Sequence, residues 1–185
     1  MANGIGSGLG NGLDFAGKDI AATAAAIVFV IGLATIGGFF FFEYGLGYPP
    51  CPLCLDQRMA FYAAVPLAAL LWLGAGFGAQ RKVLFLGFLV ITALMLWNTG
   101  LSAFHAGVEW KFWPGPTDCS GPINNFGSAS NMLKQLQSIR IVRCDEAAWR
   151  LFGLSLAGYD VLVSLFLALV GGWGAKAAWA RRDPE

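Results

Sequence analysis

Four long apolar stretches limit what this chain can fold into. They cover residues 20–42, 59–77, 83–104 and 157–175. A helix needs about 20 apolar residues to cross the hydrocarbon core of a bilayer. Because 57% of the residues are hydrophobic and only 12% are charged, the chain has too little polar surface to cover a soluble globule. The sequence therefore predicts an all-α membrane protein, a bundle of four transmembrane helices with no soluble domain.

The segments around these stretches complete the predicted organisation. Residues 1–19 are rich in Gly and Asn and lack apolar periodicity, which predicts a flexible tail. A signal peptide is the competing interpretation; we reject it because the apolar run is too long and no small-residue cleavage site follows it. The transmembrane domain then covers residues 20–178, with loops at 43–58 and 105–156. A short tail covers residues 179–185.

The basic residues favour one orientation in the membrane. They are divided evenly between the two sides, but the Arg81-Lys82 turn and the tail from Lys176 to Arg182 concentrate positive charge beside helix ends. Such charge in short segments is typical of the cytoplasmic side. We therefore expect both termini to be cytoplasmic and the two long loops to face the opposite side.

All four cysteines fall in these outer loops, which indicates disulfide chemistry. Cys51 and Cys54 are separated by two residues, a spacing that allows a disulfide across a helix start. Disulfides persist in oxidising compartments, and no cysteine lies on the predicted cytoplasmic side. A structural disulfide and half a zinc site are the competing interpretations. Zinc is disfavoured because Cys119 and Cys144 are single cysteines and not a second pair.

Cys54 is the candidate for the reactive sulfur of the first pair. A helix beginning near Cys54 would direct its unpaired N–H groups at this sulfur, and Arg58 adds a positive charge one turn later. An arginine at the bilayer edge is costly without a partner, which favours a functional role over extension towards lipid phosphate. His105, the only histidine, lies where the third helix emerges. It is a candidate for the site or for a capping role.

The second loop contains one more predicted element. Apolar residues recur at helical spacing between Ser128 and Ile141, among lysine and glutamine, as in a short helix on the membrane surface. Such a helix would hold a mobile, disulfide-bearing loop close to the bilayer. A helix that covers the mouth of the bundle is the alternative. We interpret Asp160, near the start of the fourth helix, as structural because a carboxylate there suits the helix dipole.

Several motifs together give the chain a resemblance to a known family. From about Gly38 to the end of the fourth helix it resembles the DsbB family of bacterial disulfide-bond-forming membrane proteins. The glycine-rich amino-terminal tail is not part of the family core. The resemblance is carried by Cys51-Pro-Leu-Cys54 followed by Gln57-Arg58, by His105-Ala-Gly-Val-Glu-Trp110 leading to Pro116-Thr-Asp-Cys119, by Arg143-Cys144-Asp, and by Phe152-Gly-Leu-Ser-Leu.

The resemblance implies a quinone-dependent protein-disulfide oxidoreductase of the bacterial inner membrane with periplasmic cysteines. In the family the first cysteine pair communicates with a membrane quinone, ubiquinone or menaquinone. The second pair is open to exchange with DsbA, a soluble thioredoxin-fold oxidase. Contacts with membrane lipid are implied, whereas nucleic acid and a metal are not. The implied catalytic residues are Cys51, Cys54, Cys119 and Cys144, and the residues implied near the quinone are Cys54, Arg58 and His105.

Two other classes stay open on sequence alone. A vitamin K epoxide reductase-like oxidoreductase also combines a four-helix bundle with a Cys-X-X-Cys motif that faces quinone. In that class the motif lies late in the chain, whereas here it precedes the second helix. The other class is a non-enzymatic membrane protein whose loops are stapled by two disulfides. Such a protein would have no turnover, so a quinone-reduction assay separates it from both enzymes.

Overall fold

The computed structural model describes residues 7–116 and 144–180, with side chains from residue 20 onwards. A π-helical turn, Phe41–Gly45, continues the first helix, and two short antiparallel strands, β1 (Arg150–Leu151) and β2 (Leu154–Ser155), precede the last one. The four long helices are α1 (Ser7–Phe40), α2 (Pro52–Phe77), α3 (Arg81–Glu109) and α4 (Leu156–Ala180). All four are long and apolar enough to cross a membrane. The prediction of an all-α, four-helix membrane protein is therefore confirmed.

The helices extend beyond the apolar stretches that predicted them. Helix α1 begins at Ser7 and so includes residues 7–19, which the sequence had suggested as a tail. Helix α2 begins at Pro52, and α3 continues to Glu109. Hydropathy marks where a chain is apolar, whereas a helix continues through polar residues until a cap or a breaker ends it. The predicted surface helix between Ser128 and Ile141 lies outside the described residues.

The cysteine motif itself begins α2. Cys51 is the N-cap, and its Sγ accepts a hydrogen bond from the Cys54 backbone N–H at 3.1 Å. Pro52 follows at the first helical position, where a missing N–H is harmless. The helix continues through Pro66 and ends at Gly78, which adopts a left-handed conformation with φ of 84°. Local chemistry therefore places the motif at the first turn of a membrane helix.

Close packing joins the helices into a closed bundle. The main contacts run from α1 to α2, from α2 to α3, from α3 to α4 and from α4 back to α1. Glycines bring α3 and α4 close together: a Cβ on Gly174 would lie 2.5 Å from the Phe88 ring, and one on Gly171 would lie 2.7 Å from Thr92 Oγ1. Such small residues let membrane helices approach closely. The largest fully buried side chains of the core are Phe61, Phe88, Leu84, Ile91, Met95 and Leu167.

Replacing Gly171 with leucine should destabilise the bundle, whereas the same change at Gly172 should be tolerated. A Cβ at Gly171 meets Thr92, but the space at Gly172 is open. Overpacking a tight contact costs about 1–3 kcal/mol. Thermal unfolding of the purified protein in detergent, followed by circular dichroism, measures the difference. Equal unfolding midpoints for the two variants would contradict the close approach of α3 and α4.

Candidate redox site

One end of the bundle gathers most of the residues that the sequence singled out. A cavity of about 90 Å³ lies there, and Cys51, Cys54, Arg58 and His105 all line it. They come from the first two turns of α2 and from the last turns of α3. Cys119 lies outside the described residues. The structure therefore assembles the first cysteine pair, the arginine and the histidine around one space.

The two sulfurs of the first pair have different surroundings. Cys51 and Cys54 form a disulfide with their Cα atoms 5.0 Å apart. Cys51 is buried, and its Sγ accepts the Cys54 N–H and lies 3.6 Å from His105 Nε2. The helix N-terminus was expected to act on Cys54. The structure corrects this: because α2 already begins at Pro52, the Cys54 backbone N–H in its first turn points at Cys51 Sγ.

His105 is positioned by contacts at both ring nitrogens. The Gln57 Nε2 amide donates to Nδ1 at 3.0 Å. The neutral ring then carries its hydrogen on Nε2, which faces Cys51 Sγ and lies 3.9 Å from Glu109 Oε1. The buried ring also hydrogen-bonds the backbone of Cys144. His105 therefore touches the first disulfide and the segment that carries the second, which a mere capping residue would not do.

Arg58 is buried and paired with a carboxylate. Its Nη1 donates to Glu43 Oε2 at 2.5 Å, and its guanidinium carbon lies 5.3 Å from the ring centre of Phe39 and 6.0 Å from that of Phe40. These contacts hold the guanidinium inside the bundle, away from lipid phosphate. Sequence reasoning missed Glu43. The signal was present, because an isolated carboxylate at the end of an apolar stretch needs a partner.

Cys144 packs against the first cysteine pair. It is 1% exposed, and it forms a small buried cluster with Cys51 and Leu53, against which Cys54 and Leu101 pack. Cys144 is itself disulfide-bonded. An incoming protein cannot approach a sulfur that is covered on all sides, so the burial of Cys144 excludes a partner thiol from it.

Three further carboxylic acids, Glu109, Glu146 and Asp160, line the cavity. Asp160 Oδ2 accepts hydrogen bonds from Asn98 Nδ2 at 3.1 Å and from Ser102 Oγ at 2.6 Å. Glu109 was not singled out in the sequence because it ends an apolar helix in a region predicted as loop. Ser155 caps α4 by accepting the Gly158 N–H at 3.2 Å. Asp160 is thus near the helix start, as expected, but it also faces the site.

The cavity suits an aromatic ring that carries hydrogen-bond acceptors. Phe39, Phe42 and Tyr48 contribute apolar walls. The buried Arg58 Nε has no hydrogen-bond partner among the described residues, so it is a free donor in the cavity lining. A quinone presents apolar ring faces and two accepting oxygens, and these groups fit both features. Apolar walls with a few convergent polar groups are typical of cofactor sites.

Metal binding is a second use of these groups. The Cys51, Cys54 and His105 donor atoms lie within 4.8 Å of one another. Cysteine binds metals as a thiolate, however, and here the two sulfurs are joined in a disulfide. The arrangement therefore favours disulfide exchange over metal coordination.

Comparison with known proteins gives a consistent result. A family model described as "Disulfide bond formation protein DsbB" matches residues 21–174. Disulfide bond formation protein B of Marinobacter nauticus is 29% identical over 168 residues, which cover 85% of this chain and 93% of that protein. The protein of the same name from Xanthomonas campestris pv. campestris is 28% identical over 147 residues, which cover 76% of this chain and 80% of that protein. No solved structure gives a significant match.

Replacing Glu43 with glutamine should destabilise the protein more than replacing Asp56 with asparagine. The first change leaves the buried Arg58 without its counter-charge. Losing one partner of a fully buried pair costs about 3–5 kcal/mol, and the cost is smaller here because the Glu43 side chain is 19% exposed. Asp56 is an exposed carboxylate on α2, the helix that carries Arg58, and serves as the control. Equal unfolding midpoints in detergent would show that the ion pair contributes nothing.

Proposed function

The chain belongs to the DsbB family of disulfide bond formation proteins, and on that premise we propose how its cysteines share the work. The family's members are membrane oxidoreductases that reoxidise DsbA and pass the electrons to a quinone. Membership of this family sets aside the vitamin K epoxide reductase-like class and the class of non-enzymatic, disulfide-stapled membrane proteins. One observation supports the division proposed here: Cys51 and Cys144 are buried in one cluster, and the half-buried Cys54 lines the cavity together with Cys51 and Arg58.

The first step is exchange between DsbA and the second cysteine pair. A thiolate of reduced DsbA attacks Cys119, the Cys119–Cys144 bond breaks, and Cys144 leaves as a thiolate. The burial of Cys144 supports this order, because it excludes a protein nucleophile from that sulfur. Pro116 and the turn-forming residues around it support an accessible Cys119 on sequence grounds.

The second step moves the electrons to the first pair. The Cys144 thiolate attacks its neighbour Cys51, the Cys51–Cys54 bond breaks, and Cys54 leaves as a thiolate towards the cavity. The second thiol of DsbA then completes its own disulfide and frees Cys119. Cys119 attacks Cys144, restores the second pair and expels Cys51 as a thiolate.

The contacts of Cys51 suit this departure. Its sulfur receives the backbone N–H of Cys54 and faces the Nε2 of His105, and both groups donate hydrogen bonds to a negative sulfur. Gln57 holds the ring in the tautomer that does so. The departing sulfur of an exchange reaction leaves faster when its thiolate is stabilised.

The last step restores the Cys51–Cys54 disulfide. A respiratory quinone, ubiquinone or menaquinone, supplies the two-electron acceptor when it is bound in the cavity. Arg58 then places a positive charge where negative charge develops, with its Nε free to donate. An acceptor of this kind is needed. The reduction potential of DsbA is about −120 mV, so passing two electrons from DsbA to a glutathione pool would be uphill by roughly 5 kcal/mol.

We also propose the orientation of the chain and its membrane. The redox cavity lies at the end of the bundle formed by the start of α2 and the end of α3, whereas Arg81 and Lys82 begin α3 at the opposite end. Basic residues beside short turns favour the cytoplasm. We therefore place the cysteines in the periplasm and both termini in the cytoplasm of a bacterial inner membrane, with the transmembrane domain at residues 20–178.

Replacing Arg58 with methionine should slow quinone reduction about 100-fold, the usual loss when one charge-stabilising group is removed. Lysine at this position should restore only part of the rate, because it lacks the planar fork of arginine. The assay is anaerobic mixing of the purified protein with reduced DsbA and quinone, followed by quinone absorbance.

The control for stability is a double variant that combines Arg58→Met with Glu43→Gln, which removes both charges together. The double variant should be more stable than Arg58→Met alone but equally slow. A double variant that reduces quinone at the wild-type rate would show that Arg58 serves only the fold.

A DsbA variant with a single active-site cysteine should form a mixed disulfide with Cys119. The reason is that Cys144 and Cys51 are both buried. Acid quenching followed by peptide mass spectrometry identifies the bonded cysteine. Cys119→Ala should abolish this adduct yet leave the first pair able to pass electrons from a small dithiol to quinone. A dominant adduct on Cys144, or joint loss of both activities, would contradict the proposed order.

A further inference from the structure

A buried polar cluster beside the cavity has no part in the steps above. Asn98 and Ser102 on α3 face Asp160 and Ser164 on α4, and all four side chains are buried within the membrane-spanning helices. Asn98 Nδ2 donates to Asp160 Oδ2 and also to Ser164 Oγ, at 2.8 Å. Among the described residues, Asp160 is the only member that also lines the redox cavity. It therefore links the cluster to the site.

The hydrogen bonds of Asp160 distinguish its two oxygens. Oδ2 accepts from both Asn98 and Ser102, so its accepting capacity is used. In the part of the chain that the structure describes, Oδ1 contacts only the Ser164 hydroxyl, at a long 3.4 Å. All three partners are neutral, and a buried carboxylate without a cationic partner is costly. A proton on Oδ1 removes that cost and leaves the two hydrogen bonds to Oδ2 intact.

The other titratable and charged groups that face the cavity have different partners from those of Asp160. Arg58 on α2 is paired with Glu43. Glu109 on α3 hydrogen-bonds Ser155 and lies within the electrostatic reach of Arg150. The remaining ones are His105 on α3, which faces Cys51, and Glu146, which precedes β1. Asp160 differs from Arg58 and Glu109 because its hydrogen-bond donors among the described residues, Asn98, Ser102 and Ser164, are all neutral.

The reaction needs protons at the cavity as well as electrons. Oxidising a dithiol to a disulfide releases two electrons and two protons, and reducing a quinone to a quinol consumes two of each. Because exchange delivers Cys54 as a thiolate, at least one proton is no longer on the cysteines when the electrons arrive. That proton has to come from a group that reaches the cavity.

We propose that Asp160 supplies this proton from Oδ1, an inference that rests on the quinone-linked function above. The resulting carboxylate is held by hydrogen bonds from Asn98, Ser102 and Ser164. One of the two protons that the DsbA thiols release during exchange reloads it, and the other is the second proton that the quinol takes up, so that two protons and two electrons balance over one turnover. The polar cluster is then a proton store that the protein keeps ready inside an apolar bundle.

The variant Asp160→Asn tests the proposal, because it keeps a polar side chain of the same shape but has no acidic proton. It should slow quinone reduction about 100-fold, within the range of general acid catalysis. In the absence of quinone it should still oxidise about one equivalent of DsbA as fast as the wild type. Asp160→Glu should recover part of the rate. Thr99→Val removes another membrane-embedded hydroxyl, which bonds Met95 O outside the cavity, and should match the wild type.

An infrared measurement on quinone-free protein needs no variant. The protonated carboxylic acid band should be present at neutral pH and should shift when aspartate carboxyl groups are labelled with ¹³C, which separates Asp160 from Glu109. Absence of a shifting band would overturn the proposal even if Asp160→Asn did not fold.

Two kinetic outcomes would also overturn it. The first is quinone reduction by Asp160→Asn at the wild-type rate. The second is a quinone-free exchange that Asp160→Asn slows as much as it slows quinone reduction, because such a loss indicates a structural role. Failure of the underlying function is distinguishable, because the wild-type protein itself would then not reduce quinone.

Discussion

The structure depends on the rule that polar groups inside an apolar bundle must find partners within the protein. Arg58 meets Glu43, His105 meets Gln57, and Asp160 meets Asn98. Each pair joins two segments that are distant in sequence, so the same contacts that satisfy polar atoms also hold the helices in place. The polar groups lie towards one end of the bundle and around one cavity. The remainder of the core is apolar, and the redox chemistry is therefore confined to that end.

The two cysteine pairs meet in one buried cluster. Cys51 and Cys144 are its members and the half-buried Cys54 packs against it, while Cys51 and Cys54 both line the cavity. This arrangement suits the proposed relay. Burial keeps a protein nucleophile from Cys51 and Cys144, and in the proposal electrons that enter at the second pair pass to the neighbouring Cys51. The Cys54 N–H at the start of α2 and the His105 ring both face Cys51. They suit the proposed departure of Cys51 as a thiolate when the second pair is restored.

Much of this architecture could be predicted from the sequence. Hydropathy predicted the four helices, and the order and spacing of the cysteines predicted the family, since both are properties of the chain itself. The helix boundaries differed because apolar character ends before the helix does. The N-cap role of Cys51 was missed because the helix was expected to begin near Cys54, although Pro52 is a common first residue of a helix.

The partners of the buried polar residues could not be predicted, because they are contacts between separate helices. Nothing local in the sequence says which of Glu43, Gln57, Glu109 and Asp160 meets Arg58, His105 or Asn98. The sequence by itself determined a membrane bundle, its family and the class of reaction. Only the tertiary structure decided which sulfur the helix N-terminus faces, that Cys144 is covered, and that an aspartate reaches the cavity. The physical reason is that helix rotation and packing set these contacts, and both depend on side chains that are far apart along the chain.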